Sequence, residues 1–154
     1  LVLAFSRAKG VLDMIRLFVF VLLLVPLFFI DLKYHRLPNI LTVPGIALGL
    51  LLSAGLGQIK SAVLGALAGG GVLFIVAVIT RGGLGMGDVK LQAMVGAFLG
   101  LREMLISLTI GVILGGIIGF ILLALRLKGR KDMVPYGPFL ITGALVVSLV
   151  LQTG

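Results

Sequence analysis

Polar residues in this chain gather into short breaks between long apolar runs. Crossing about 30 Å of hydrocarbon takes roughly 20 residues of helix, and six of the runs come near that length. The pattern predicts spans from Met14 to Ile30, with Leu17 to Ile30 free of charge, and from Ile40 to Gly57. Further spans are expected from Ser61 to Thr80, Asp88 to Leu101, Met104 to Leu125 and Val134 to Gln152. The fold class expected is all-α: a polytopic membrane protein, a compact bundle of about six transmembrane helices forming one domain over residues 1–154. Pro26 and Pro44 fall inside predicted spans, where neighbouring helices satisfy the carbonyls that proline frees. The fourth run is short, about 21 Å at 1.5 Å per residue. Either the bilayer thins around it or Asp88 lies below the interface.

Composition excludes the soluble alternatives. Of 154 residues, 60% are hydrophobic and 12% charged, whereas a soluble domain is about one quarter charged. Disorder is excluded too, because it needs low hydrophobicity. The absence of cysteine removes disulfides, thiolate ligands and thiol nucleophiles. His35 is the single histidine, which argues against a multi-histidine metal centre. No metal and no cofactor are expected.

Lysine and arginine total 13 against 5 acids. In so apolar a chain this excess reads as membrane topology, and nucleic acid is not an expected partner. With six crossings, one side carries Lys33, Arg36, Arg81, Lys90, Arg126, Lys128, Arg130 and Lys131. The other carries Arg7, Lys9, Arg16, Lys60 and Arg102. The richer side is assigned to the cytoplasm, and its basic loops are expected to meet anionic lipid headgroups. Glycines recur at intervals of four: Gly45 and Gly49, Gly65 and Gly69, Gly96 and Gly100, then Gly111, Gly115 and Gly119. Small residues one turn apart let membrane helices approach closely, so these pairs predict tight packing.

Three of the five acids have structural readings. Asp13 lies one turn before Arg16, Glu103 adjoins Arg102, and Asp132 sits in the basic stretch from Arg126 to Lys131. Asp31 and Asp88 differ. Asp31 follows the apolar stretch Val19 to Ile30, and Asp88 ends Gly82-Gly83-Leu84-Gly85-Met86-Gly87-Asp88 while opening the fourth span. Both fall on the predicted cytoplasmic side. Ionisable groups at membrane depth are costly and point to function. Two carboxylates at one place share a proton and can activate water. The pattern is equally compatible with two unrelated boundary acids. The glycines before Asp88 form no phosphate-binding loop, since no Gly-Lys-Ser/Thr follows.

The segment Ile30-Asp31-Leu32-Lys33-Tyr34-His35-Arg36-Leu37-Pro38-Asn39-Ile40-Leu41-Thr42 resembles the first motif of the type IV prepilin peptidases. Gly85-Met86-Gly87-Asp88-Val89-Lys90-Leu91 resembles their second, the GxGD motif. Val134-Pro135-Tyr136-Gly137-Pro138-Phe139 resembles the motif before their last helix. The three occur in family order and cover nearly the whole chain. The resemblance implies a membrane aspartyl endopeptidase of the bacterial inner membrane. Such an enzyme removes the basic leader peptide of prepilins or pseudopilins at the cytoplasmic face, commonly after a glycine, in type IV pilus assembly or protein secretion. It implies catalytic roles for Asp31 and Asp88, with Gly85 and Gly87 shaping the second motif. Pro38 and Asn39 continue the first motif, where the family often has Asp or Asn at the latter position. Lys90 follows the second aspartate, and Pro135, Gly137 and Pro138 carry the third motif. Long members add a cytoplasmic region with paired cysteines, and many methylate the new N-terminus. Neither zinc nor methylation is expected here, and Leu1 to Gly10 resembles the end of a helix preceding the core.

In the mechanism so implied, water lies between Asp31 and Asp88, one ionised and one neutral. Helix dipoles suggest a division of roles. Asp88 begins a helix, where the dipole favours a carboxylate, and Asp31 ends one. The expectation is Asp88 as base and Asp31 as acid. His35, four residues after Asp31, reads as an interfacial histidine. Three rival readings stay open: a transporter or channel subunit using the acids as an ion relay, a GxGD protease acting on transmembrane helices, and an inactive scaffold.

Overall fold

The computed structural model describes residues 2–34, 37–81, 85–125 and 137–150. Six helices follow one another: α1 (Val2–Tyr34), α2 (Asn39–Gly55), α3 (Ile59–Ile79), α4 (Met86–Leu99), α5 (Leu101–Ala124) and α6 (Gly137–Val150). The chain is an all-α membrane protein. Three of these helices, over Gly10–Tyr34, Ile59–Ile79 and Leu101–Ala124, are long and apolar enough to cross a bilayer. Their outer faces leave large apolar side chains exposed, among them Phe29, Leu67, Ile75 and Phe120, and lipid is the solvent such faces fit. Pro26 lies inside α1 and Pro44 inside α2 without ending either helix. Val2 to Gly10 are continuous with α1.

Apolar residues run all round most of these helices, so the inward face is marked by small side chains. In α2 the buried residues are Thr42, Gly45, Gly49 and Ser53. In α3 they are Ala62, Gly65, Gly69, Leu73 and Ala77, and in α5 Met104, Ser107, Gly111 and Gly115. Each set advances by three or four residues, the spacing of one helix face. α1 instead presents larger groups inward, with Phe20 stacked on Phe98 of α4 at 4.9 Å between ring centroids.

α4 is the core of the bundle and touches all five other helices. Leu91, Met94, Val95, Ala97 and Phe98 are fully buried. Its 14 residues fall short of a full crossing, as the sequence suggested, and the packing supplies the reason. A helix wrapped by protein meets no hydrocarbon and need not match its thickness.

The glycine spacing accounts for the close approaches around α4. A β-carbon on Gly96 would overlap the backbone of Gly65, and one on Gly69 would lie 2.7 Å from the Gln92 carbonyl oxygen. One on Gly49 would lie 3.0 Å from the Ala97 β-carbon. Ser53 Oγ also donates to the Ala97 carbonyl over 2.9 Å. Between α5 and α6, a β-carbon on Gly111 would lie 3.0 Å from Leu140 Cα. Two members of the expected ladders behave otherwise. Gly119 has nothing within 4 Å of such a carbon, and Gly100 ends α4 at φ 88°, a left-handed turn into α5.

The two ends of the bundle differ in character. At one, Arg16 pairs with Asp13 over 2.5 Å, as their spacing suggested, and donates to Gln58 Oε1 over 2.7 Å. These contacts tie α1 to the α2–α3 connection. The other end gathers the close of α1 and the starts of α2, α4 and α6.

Candidate active site

Asp31 is placed by the buried seam of α1. Arg16, Phe20, Leu24, Leu27 and Asp31 are all buried and recur every three or four residues. The carboxyl therefore continues the face that packs on α4, and only 4% of Asp31 is exposed. Phe18, Leu22, Val25 and Phe29 repeat at the same intervals and are exposed, so spacing by itself does not mark which face of α1 turns inward.

Asp88 arrives from α4. Gly85, with extended backbone (φ −74°, ψ 147°), stands at the N-cap position, and its carbonyl accepts the Asp88 N–H over 3.1 Å. Asp88 lies in the first turn and is 9% exposed. Leu37 and Pro38 lead into α2 between these two elements, and Leu37 lies against Gly87. A β-carbon on Gly87 would come 3.0 Å from the Leu37 β-carbon. The glycine is therefore what lets the segment entering α2 rest on the first turn of α4.

Together these elements enclose a cavity of about 710 Å³. Asp31 and Asp88 line it, with Ile30 and Tyr34 from α1, Leu37, Pro38 and Asn39 from the approach to α2, and Gly85 to Gly87 from the approach to α4. Two carboxyl groups buried on one cavity disfavour ionising together.

The sequence-derived residues take distinct places. Asp31, Asp88, Pro38, Asn39, Gly85 and Gly87 come together at the cavity. Lys90 stands outside its lining but donates to Asn39 Oδ1 over 2.8 Å. Pro138 is buried in α6, away from the lining, and its carbonyl accepts a hydrogen bond from Thr142 Oγ1 over 2.7 Å. Gly137, the first residue of α6, lies against the Asp31 carboxylate so closely that a β-carbon there would overlap it. Pro135, His35, Gly82 to Leu84, the basic stretch from Arg126 to Lys131, and Asp132 lie outside the described residues.

Asp88 lies in the first turn of α4 and Asp31 in the last turn of α1, the placement on which the argument from dipoles rests, and Gly137 adjoins the Asp31 carboxyl. The lining by Ile30, Tyr34, Leu37 and Met86 was not foreseen. All four lie inside the two motif segments, but Leu37 and Met86 belong to no periodic stripe, so only the motifs marked them.

Comparison with known proteins bears on the same residues. The type IV leader peptidase family matches residues 18–120, a stretch that holds both aspartates. A prepilin leader peptidase/N-methyltransferase of Aeromonas salmonicida (strain A449) is 39% identical over 124 residues, covering 76% of this chain and 43% of the relative. The protein of that name from Escherichia coli (strain K12) is 37% identical over 138 residues, covering 84% of the chain and 60% of the relative. That from Bacillus subtilis (strain 168) is 30% identical over 134 residues, covering 85% and 54%. The chain thus spans about half the length of these relatives. No solved structure matches.

Proposed function

The chain belongs to the type IV leader peptidase family, and on that premise we propose that it is an aspartic endopeptidase removing the basic leader of prepilin-like proteins. The observation that carries this reading is the meeting of Asp31 and Asp88, both buried, on one cavity at one end of the bundle. The charge asymmetry of the loops supports placing that end at the cytoplasmic face of a bacterial inner membrane.

Catalysis follows from a pair holding a single proton. A water lies between the two carboxyl groups. The ionised one takes a proton from the water as its oxygen attacks the scissile carbonyl carbon, and the neutral one protonates the carbonyl oxygen. The tetrahedral intermediate then collapses, the C–N bond breaks, the leaving amine takes the proton the base had gained, and the former carbonyl oxygen returns its proton to the acid. No covalent enzyme intermediate forms. Ile30, Leu37 and Met86 give the cavity apolar walls beside the pair.

Placement of the acids also separates the rivals. An ion relay calls for acids on facing helices near the midplane, whereas Asp31 is in the last turns of α1 and Asp88 in the first turn of α4. The deciding experiment incubates the purified protein with a synthetic prepilin leader joined to its following apolar helix, with and without the Asp88→Asn change. Cleavage at the leader boundary by the unchanged protein, lost in the variant, is the expected result. Cleavage within the apolar helix would favour a protease of transmembrane segments. No cleavage in either sample would favour a relay or scaffold.

A further inference from the structure

Lys90 is two residues beyond Asp88, about 200° further round α4, so its side chain leaves the helix on another face. It reaches across to the first turn of α2 and donates to Asn39 Oδ1 over 2.8 Å, joining positions 51 residues apart. An ammonium only donates, so the amide must turn its oxygen toward Lys90. Asn39 itself lines the cavity.

The same short segment is restrained at two further points. Leu37 rests on Gly87 with no room for a side chain between them, and Pro38 has its φ fixed by its ring, at −70°. Contact at residue 37, a rigid residue 38 and a hydrogen bond at residue 39 hold this wall across the start of α4. The free energy of an exposed hydrogen bond of this kind is small, so its effect lies in position rather than in stability. Without it the segment entering α2 keeps its contact with α4 at Leu37 but loses the tie at residue 39.

We infer that Lys90 is a positioning residue for peptide hydrolysis: acting through Asn39, it fixes the separation of the starts of α2 and α4 and so the width of the cavity beside Asp88. This rests on the endopeptidase reading for its catalytic consequence but not for its structural one. The absence of native cysteine allows both to be measured. Spin labels on Ile40→Cys and Met86→Cys, both exposed, report the separation by pulsed dipolar spectroscopy without any substrate. Lys90→Met and Asn39→Leu are each expected to broaden the distance distribution.

In cleavage of the leader peptide, each is expected to lower kcat about tenfold or more with little change in KM, because misplacement of a wall costs rate. The double variant should be no slower than either single one, since both remove the same contact. Asn39→Asp, which keeps an oxygen for Lys90, should keep the distance distribution as narrow as in the unchanged protein. An unaltered distance distribution in Lys90→Met overturns the inference. So do losses that add in the double variant, or a loss confined to KM, which would make Lys90 a direct contact of the leader. If the unchanged protein cleaves nothing while Lys90→Met still broadens the distribution, the clamp stands and the endopeptidase reading falls.

Discussion

The carboxyl of Asp31 leaves no room for a side chain at Gly137, and this contact is the narrowest constraint at the cavity. Glycine is needed there for close approach. A methyl group at that position must displace either the start of α6 or the carboxyl by about an ångström, and a shift of that size at a reacting group costs on the order of 100-fold in rate. Gly137→Ala is therefore expected to lower kcat on the leader peptide by that order while the thermal unfolding midpoint in detergent changes little. A large fall in the midpoint with normal kcat would show that the glycine serves packing alone. Both aspartates were legible as candidates because charge is so rare in this chain. The meeting of Gly137 with Asp31 was not, since it joins residues on α1 and α6 that no local pattern relates.

At the scale of helices, small residues decide how near the axes come, and the spacing of glycine forecast most but not all of the contacts. Gly96 and Gly65 are pressed backbone to backbone, so Gly96→Ala must push α3 and α4 apart and is expected to destabilise by about 1–3 kcal/mol. Gly119 belongs to the same kind of ladder in sequence, yet no described residue lies within 4 Å of a β-carbon there. Gly119→Ala should leave stability unchanged or raise it slightly, because alanine is the better helix former. Thermal unfolding of the two variants in one detergent checks both, and equal effects would contradict the packing described. Spacing identifies a face that permits close approach. Whether a partner helix occupies that face is decided by the whole bundle, and in α5 contact with α6 reaches Gly111 and Gly115 but not Gly119.

Across the whole molecule, a short helix buried among five others carries Asp88 to the end where α1 delivers Asp31. The helices and the shortness of the fourth were legible from apolar run lengths. The central position of α4 was not: it is less apolar than the helices facing lipid, and no local pattern says how many helices pack round it. The loop charges act at this scale as well. Arg130 and Lys131 belong to the basic stretch before α6, and each such residue near an anionic surface contributes about 1 kcal/mol to lipid attraction. Replacing both with Gln is expected to weaken the dependence of activity on anionic lipid, measured in vesicles with and without phosphatidylglycerol, while cleavage in detergent stays unchanged. A loss of cleavage in detergent would instead make these residues part of leader recognition.

The paired action of Asp31 and Asp88 is tested most directly by leader cleavage with Asp31→Asn, Asp88→Asn and the double variant, each first shown to be folded. If one water is activated between the two groups, all three variants fall to the same background rate, because removing either partner already removes the pair. Substantial turnover by either single variant, or a double variant slower than both by the product of their losses, would contradict it.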